Sequence, residues 1–367
     1  FLGDSYSKIK ENDSALAVYD SLLTWDLDST QIFLVEQRIA WIPPTGLRGL
    51  ISQFPSSIGI APQTQLYMDN LSFQLAKFGG RIEVGVFKYL TIGVSFYRAN
   101  TKSNWTSLDS ATVDFVNSNS QYGFVGDRTY TSFKGHIIIP FSYYFSLSVA
   151  LGIVNTEGYD MQDETEVVLM YDNQENFSTS MVFFKSDANL ILYSPYLIDF
   201  QTNDNARLTG SLLKFRAKYK HETKFLVSSF FDYINVSDGN AGNNFQLRLG
   251  YQFQEPFSAG YEYYYQNFRY KKEFIGGIYY SPQNYDSHSI WGDYYLENKE
   301  FKKVVIGGKI GYAPQSEQMV LEGHVNAKYR VLNNINIEGE LSLGQSSQFY
   351  STYRYFSFSL AANWNFW

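Results

Sequence analysis

The sequence predicts an all-β fold, a transmembrane antiparallel β-barrel of about sixteen strands (fourteen is the alternative count) preceded by a short α-helical segment. Three observations predict it: a strictly alternating final strand, an aromatic content of 18%, and short turns that alternate with longer polar connections. The mean hydropathy is −0.26, and no stretch approaches the roughly 18 uninterrupted apolar residues of a transmembrane helix. The 31 Tyr and 30 Phe residues suit aromatic girdles at two membrane interfaces.

The final segment has one apolar face and one small, polar face, because side chains alternate between the two faces of a strand. A long last strand that ends on aromatic residues is typical of bacterial outer-membrane barrels. We therefore expect an outer-membrane location with both termini in the periplasm and with outer-membrane lipid as a partner. The residues predicted to face lipid and support barrel assembly are Phe356, Phe358, Leu360, Trp364 and Phe366.

Three regions follow from the change of pattern along the chain. Residues 1–41 are predicted to be helical, and residues 42–63 form a linker or a periplasmic plug that starts where Ile42-Pro43-Pro44 breaks the helix. Residues 64–367 form the predicted barrel. The region from Asp160 to Asn205 alternates weakly, so it is the source of the uncertainty between sixteen and fourteen strands.

The helical region contains two predicted helices. Asp13 and Ser14 are good N-cap residues, and the apolar residues that follow have helical spacing. A turn around Asp26 to Thr30 separates this helix from a second predicted helix at Gln31 to Ala40. One amphipathic helix lying against the barrel rim is the alternative interpretation.

The inner face of the predicted strands is rich in charge. The strand Leu321 to Val331 and its partner after the turn at Leu332 to Asn334 place acidic and basic residues on the face opposite their apolar residues. Charges of both signs keep water in a pore and offer weak, multiple sites. For any one residue, simple solvation of a channel is the alternative. The predicted lumen or translocation-path residues are Lys214, Arg216, Lys218, Arg248, Glu262, Tyr264, Glu322, Lys328, Arg330, Glu338 and Glu340.

Three long connections are predicted to form a gate at one end of the barrel: Asn100 to Gly126, Ser186 to Asn205 and Tyr270 to Asp286. Within the last of them, Gly276 and Gly277 allow movement and Pro282 makes a turn.

Catalytic, metal, cofactor and nucleic-acid functions are not predicted. The chain has no Cys and 4 His residues, which are isolated and lack metal-ligand spacing. Glu338 and Glu340 lie about 7 Å apart along one strand face, a separation that glycosidases use, but acidic residues are ordinary in a wet barrel interior. A net charge of −7 and a pI near 5.2 argue against nucleic acid as a partner.

The segment Ile278 to Tyr285, directly before the predicted strand His288 to Leu296, resembles the Y-[FY]-S-P-Q-x-Y segment of the exopolysaccharide export proteins of cellulose-synthase operons. Asp13 to Leu23 resembles the last unit of a tetratricopeptide repeat array, although Leu27 stands where that family usually has Pro. The resemblance implies a sixteen-stranded outer-membrane barrel after a periplasmic repeat array. It implies export of a polysaccharide chain, with periplasmic and inner-membrane synthase components as partners.

Two other functions remain open at this point. A general diffusion porin for small solutes needs no repeat array. A non-conducting barrel subunit of a larger envelope or secretion complex would have a lumen plugged by residues such as Ile42 to Pro62.

Overall fold

The computed structural model describes residues 2–8, 12–42, 57–70, 73–86, 90–103, 122–124, 127–142, 144–157, 159–173, 176–192, 198–200, 208–254, 256–270, 281–299, 301–332, 334–348 and 351–365. Most of the described chain is β-strand. No helix in these ranges is long and apolar enough to cross a membrane.

Sixteen strands of the described chain form one closed antiparallel barrel, in which each strand pairs with its sequence neighbours and the first pairs with the last. Two further short strands, Tyr122–Phe124 and Ile198–Phe200, pair with each other and form a separate two-stranded sheet. The strands are β1 Ser57–Asp69, β2 Phe73–Gly85, β3 Thr91–Ser103, β4 Tyr122–Phe124, β5 Arg128–Ser142, β6 Phe145–Thr156, β7 Gln162–Asp172, β8 Phe177–Asp187, β9 Ile198–Phe200, β10 Thr209–Lys220, β11 Phe225–Val236, β12 Ala241–Gln254, β13 Phe257–Phe268, β14 Tyr285–Lys299, β15 Lys302–Ala313, β16 Gln318–Leu332, β17 Ile335–Gln348 and β18 Ser351–Asn365.

The predicted fold class is confirmed, and the strand count is sixteen. The weakly patterned region supplies two barrel strands, β7 and β8, so the lower count of fourteen is wrong. Alternation is hard to see there because the inner face of these strands is itself partly apolar: Val168 pairs with Val182 on the side that also carries Glu166.

The barrel begins earlier than residue 64, because β1 starts at Ser57, inside the predicted linker. Pro62 makes β1 difficult to recognise as a strand from the sequence. Proline has no N–H to donate to a ladder, and the pairing of β1 with β18 skips Ala61 and Pro62 and resumes in the same register at Gln63. On its other side Pro62 faces Gly80 of β2. Residues 43–56 of the predicted linker or plug lie outside the described residues.

The outer surface of the barrel carries an apolar belt. Large apolar side chains stand exposed on the outward face of strands all around the barrel, among them Phe96 on β3, Leu151 on β6, Ile290 on β14 and Leu343 on β17. Exposed apolar surface on this scale needs a partner, and a bilayer covers such a belt.

Among the described residues, three helices precede the barrel: α1 Leu2–Lys8, α2 Asn12–Leu23 and α3 Ser29–Trp41. Asp28 caps α3 in a capping box with Gln31. Ala15 and Tyr19 of α2 pack with Ile39 of α3 in a small core. Burial and the carboxylate of Asp4, which accepts a 2.5 Å hydrogen bond from its hydroxyl, raise the pKa of Tyr19 to about 12. Whether these helices end a tetratricopeptide array remains a prediction.

The two ends of the barrel differ. The connections from β3 to β5, from β8 to β10 and from β13 to β14 leave from one end and are long, whereas the other end has tight turns such as the one between Lys220 and Phe225. We call the corresponding parts of the lumen the long-loop half and the short-turn half. A fourth helix, α4 Asn189–Leu192, belongs to the connection from β8 to β10.

Candidate functional site

The short-turn half of the lumen contains a cavity of about 760 Å³. Residues of strands from opposite sides of the barrel line it, and most of them face inward and are polar or charged. Five of the predicted lumen residues are in its wall: Lys218, Arg248, Lys328, Glu338 and Glu340. The other polar and charged lining residues include Gln63, Gln65, Lys77, Asp293, Lys303, His324, Asn326 and Ser359.

Lys328 and Glu338 form an exposed ion pair in this wall. They are direct cross-strand partners on β16 and β17, with Lys328 Nζ 2.7 Å from Glu338 Oε1. Glu340 lies one inward position further along β17, opposite Asn326. Pairs as exposed as this one contribute little to stability, so their charges remain available to whatever enters the cavity.

A deeper network of charges connects four strands in the middle of the lumen. Glu262 on β13 is almost fully buried, with its carboxylate 2.6 Å from Lys309 Nζ and 3.0 Å from Arg248 Nε. Lys309 Nζ also lies 3.3 Å from Glu322, which accepts a 3.0 Å hydrogen bond from the Tyr355 hydroxyl. Two carboxylates and two cations balance one another, which makes this network part of the wall structure.

The opposite wall carries a second ion pair. Arg216 on β10 lies 3.0 Å from Asp232 on β11 and 4.3 Å over the ring of Phe230. Lys214 is the direct cross-strand partner of Asp232. The predicted residues Lys214 and Arg216 therefore share Asp232 as their acidic neighbour and line the side of the lumen opposite β16 and β17.

Six of the predicted path residues are not in the cavity wall; four of them belong to the charged clusters above, and the other two are Tyr264 and Arg330. Tyr264 packs edge-to-face with Phe230 and Tyr285, with ring centroids 6.2 and 6.1 Å away, so it belongs to a small aromatic cluster. Arg330 is exposed near the end of β16, next to a register shift between Arg330 and Leu332. It lies at the mouth of the short-turn half.

The long-loop half holds a buried polar network that the sequence did not reveal. Glu164 on β7 is 1% exposed. Its carboxylate accepts hydrogen bonds from the hydroxyls of Tyr97 at 2.7 Å, Ser186 at 3.4 Å and Ser132. Lys134 Nζ lies 3.9 Å from Glu164 and 2.9 Å from Glu166. Lys134 of β5 and Glu164 of β7 both pair with Gly152 of the strand between them. The alternation of Glu164 and Glu166 along β7 is the signal that could have shown this network.

Helix α4 lies inside the barrel, against the wall of the long-loop half. Leu190 joins an apolar cluster of inward-facing residues from β2, β3, β5 and β6: Phe73, Leu75, Tyr97, Ala99, Tyr130 and Val154. Asn189 Nδ2 donates a 3.0 Å hydrogen bond to the Tyr130 hydroxyl. A Cβ on Gly210 would come within 2.9 Å of Ile191, so this glycine lets β10 approach the helix. The segment therefore narrows the long-loop half.

Of the three predicted gate residues, the structure describes only Pro282. Gly276 and Gly277 lie outside the described residues. Pro282 is buried, and its carbonyl accepts a 2.9 Å hydrogen bond from the N–H of Phe268. Gln283 donates through its side chain to the carbonyl of Arg269 at 3.0 Å. The chain around Pro282 is thus fixed to the end of β13.

The predicted lipid-facing residues of β18 share the outward face of the strand. Leu360 and Trp364 are 41% and 43% exposed, and Phe356 and Phe358 pair with outward residues of β17, Leu343 and Leu341. Phe366 lies outside the described residues.

Metal chemistry finds no support in the described ranges, where no group of three His, Cys, Asp or Glu side chains is placed to hold an ion. What these side chains offer is a polar wall with charges of both signs.

No protein-family model and no curated protein matches the chain. Among solved structures, it is similar to a bacterial polysaccharide outer membrane secretin, with 10% identity and a TM-score of 0.55 over 83% of this chain and 97% of that one. Acinetobacter baumannii OccAB1 gives 10% identity and a TM-score of 0.43 over 85% and 97% of the two chains. Pseudomonas aeruginosa OccK5 gives 9% identity and a TM-score of 0.38 over 85% of this chain and 98% of that one. At these identities the likeness shows the fold alone, and that fold is an outer-membrane β-barrel.

Proposed function

We propose that the protein is an outer-membrane conduit that exports an exopolysaccharide from the periplasm to the cell surface. The observation that carries the proposal is the cavity of about 760 Å³ inside a closed barrel, lined by charges of both signs. Such a wall keeps water in place and binds a passing polar chain weakly at many points. The similarity to a polysaccharide outer membrane secretin supports this substrate class.

In this proposal the polymer enters through the short-turn half. Outer-membrane barrels place short turns in the periplasm and long loops outside, so both ends of the barrel chain would be periplasmic. Helices α1–α3 would be the end of a repeat array that guides the polymer, with periplasmic and inner-membrane synthase components as partners. The barrel supplies no energy, only a path.

The long-loop half then acts as the gate. The contacts of Leu190 and Asn189 hold α4 against the inner wall, and an extended sugar chain needs that segment to move. The glycines at positions 276 and 277 would give a second loop the freedom to move with it.

The packing of α4 also favours one alternative, a non-conducting barrel subunit of a larger complex. A lumen closed by a well-packed helix conducts nothing until a partner displaces it. The two functions differ in what happens when α4 is loosened in the isolated protein.

Single-channel conductance in planar bilayers tests this directly, on the wild type and on Leu190→Ser. The substitution leaves a polar group and a void in the apolar cluster, so we expect longer open times. Leu213→Ser is the matched control, because Leu213 is an outward residue of β10, and it should leave gating unchanged.

Cello-oligosaccharides and N-acetylglucosamine oligosaccharides are then added to the open channel. Transient block by one series supports export. An open pore indifferent to both series indicates a general diffusion porin. Silence of both the wild type and Leu190→Ser contradicts export and indicates a barrel that does not conduct.

A further inference from the structure

We infer that the short-turn half of the lumen is a binding site for anionic sugars, in which Lys218, Lys303 and Lys328 take the carboxylates of a uronic-acid polymer. The inference rests on the proposed export function and names its substrate class.

The first observation is a pair of like charges placed directly opposite each other. Lys303 on β15 and Lys328 on β16 are cross-strand partners, and both face the cavity. Like charges in this position destabilise a sheet. An anion between the two ammonium groups would remove that repulsion.

The opposite wall adds two more cations at the same level. Lys218 lines the main cavity together with Lys303 and Lys328. Lys218 and Lys220 line an adjoining cavity of about 420 Å³. Lys218, Lys220 and Lys328 all repel the ammonium of Lys303. Cations from two sides of the lumen therefore converge on one space.

Among the described residues, an acidic side chain neutralises only one member of this group, Lys328. Glu338 pairs with Lys328 at 2.7 Å, Arg248 is paired with Glu262, and Asp293 lies 3.1 Å from His324. Within the described part of the chain, neither Lys218 nor Lys303 has a carboxylate at ion-pair distance.

The charge of the cavity is opposite in sign to that of the whole chain. Its lining has three Asp or Glu residues against five Lys or Arg residues, whereas the chain carries −7. The lining cations are Lys77, Lys218, Arg248, Lys303 and Lys328. A basic vestibule in an acidic protein concentrates anions at that point.

Tyr295 indicates a sugar rather than a small ion. Its ring lines both cavities and lies 5.5 Å from Lys303 Nζ. A uronic-acid unit has an apolar ring face and a carboxylate, which match an aromatic ring beside a lysine. Lysine is a strongly hydrated point charge, so each contact is weak and exchangeable, as transit requires.

The test is binding to the full chain in detergent micelles, measured by calorimetry with three tetrasaccharides of equal length. They are tetragalacturonate, which is anionic, cellotetraose, which is neutral, and chitosan tetramer, which is cationic. No residue of α4 lines the site, so the measurement does not need the gate to open. We expect tetragalacturonate to bind about tenfold tighter than cellotetraose, and added salt to weaken it.

Lys218→Gln and Lys303→Gln should each weaken tetragalacturonate binding by about threefold to tenfold. Lys302→Gln is the matched control, because Lys302 neighbours Lys303 on β15 but faces outward and pairs with Glu297; it should change nothing. Equal affinities for the neutral and anionic sugars, no binding of either, or equal effects of Lys302→Gln and Lys303→Gln would overturn the inference. The bilayer experiment decides the export function separately, since block by neutral sugars would uphold it even then.

Discussion

The two halves of the lumen are built from the same strands but use charge differently. In the long-loop half, Glu164 is 1% exposed and is held by three hydroxyls and a lysine. In the short-turn half, the Glu338 side chain is 50% exposed and has one partner, Lys328. A buried charge must be fully paired, because removing it leaves its partners buried without a counter-charge. An exposed charge can exchange its partner for water or a ligand at little cost in stability. The difference separates a structural region from one that a ligand can use.

The largest expected effect is the loss of the Glu164 carboxylate. Glu164→Ala leaves Tyr97, Ser132 and Lys134 without their common acceptor in a buried place. We expect the free energy of unfolding to fall by about 3–5 kcal/mol, measured by urea unfolding in lipid vesicles. Glu338→Ala in the open half should cost about 0–1 kcal/mol. Equal costs would contradict the distinction between the halves.

A second prediction separates the inner from the outer wall within the short-turn half. Leu360 and its neighbour Ala361 both border the cavity. Leu360 has the outward parity of β18 and is 41% exposed, whereas Ala361 is the cross-strand partner of the inward-facing Glu338. Leu360→Asp should destabilise the barrel by about 2–4 kcal/mol if it lies near mid-bilayer, and by less near the interface. Ala361→Asp places the same charge in water and should be tolerated. Heat-modifiable migration of the folded barrel on gels distinguishes the two, and a well-folded Leu360→Asp variant would argue against the assigned faces.

The smallest effect on stability is expected from removing both exposed acids of the cavity. The double variant Glu338→Ala with Glu340→Ala should fold normally, with a change below about 1 kcal/mol. It makes the cavity more basic, so the reversal potential in a salt gradient should shift towards anion selectivity in an open channel. Unchanged selectivity would show that these two residues do not face the conducting path.

The barrel could be predicted where one face is apolar and the other polar. The strands β16, β17 and β18 alternate cleanly, and the inward positions of Glu322, Lys328, Glu338 and Glu340 follow from that pattern alone. The alternating pattern does not predict β1, where Pro62 interrupts one ladder, or β7 and β8, whose inner face is partly apolar. In both places the missing information is the identity of the neighbouring strand.

Helix α4 could not be predicted for a different reason. Asn189 to Leu192 is too short to show a helical period, and its stability comes from tertiary packing. Its partners are distant in the chain; Tyr130, for example, is 59 residues from Asn189. The ion pairs could not be predicted either. Alternation gives the face on which a residue lies, but not the side chain that it contacts in the lumen.

The pairing of β1 with β18 has a consequence for biogenesis. Gly59 lies in register with Asn365, so the seam joins the two barrel strands that are most distant in sequence, and it is the last to form if strands pair in order of synthesis. Until then both edges present unpaired backbone groups that attract other chains. Long-range pairing is also slow to form. The protein is therefore most prone to aggregation before the barrel closes. An assembly factor that paired with the free edges of β1 and β18 would protect them until they pair with each other.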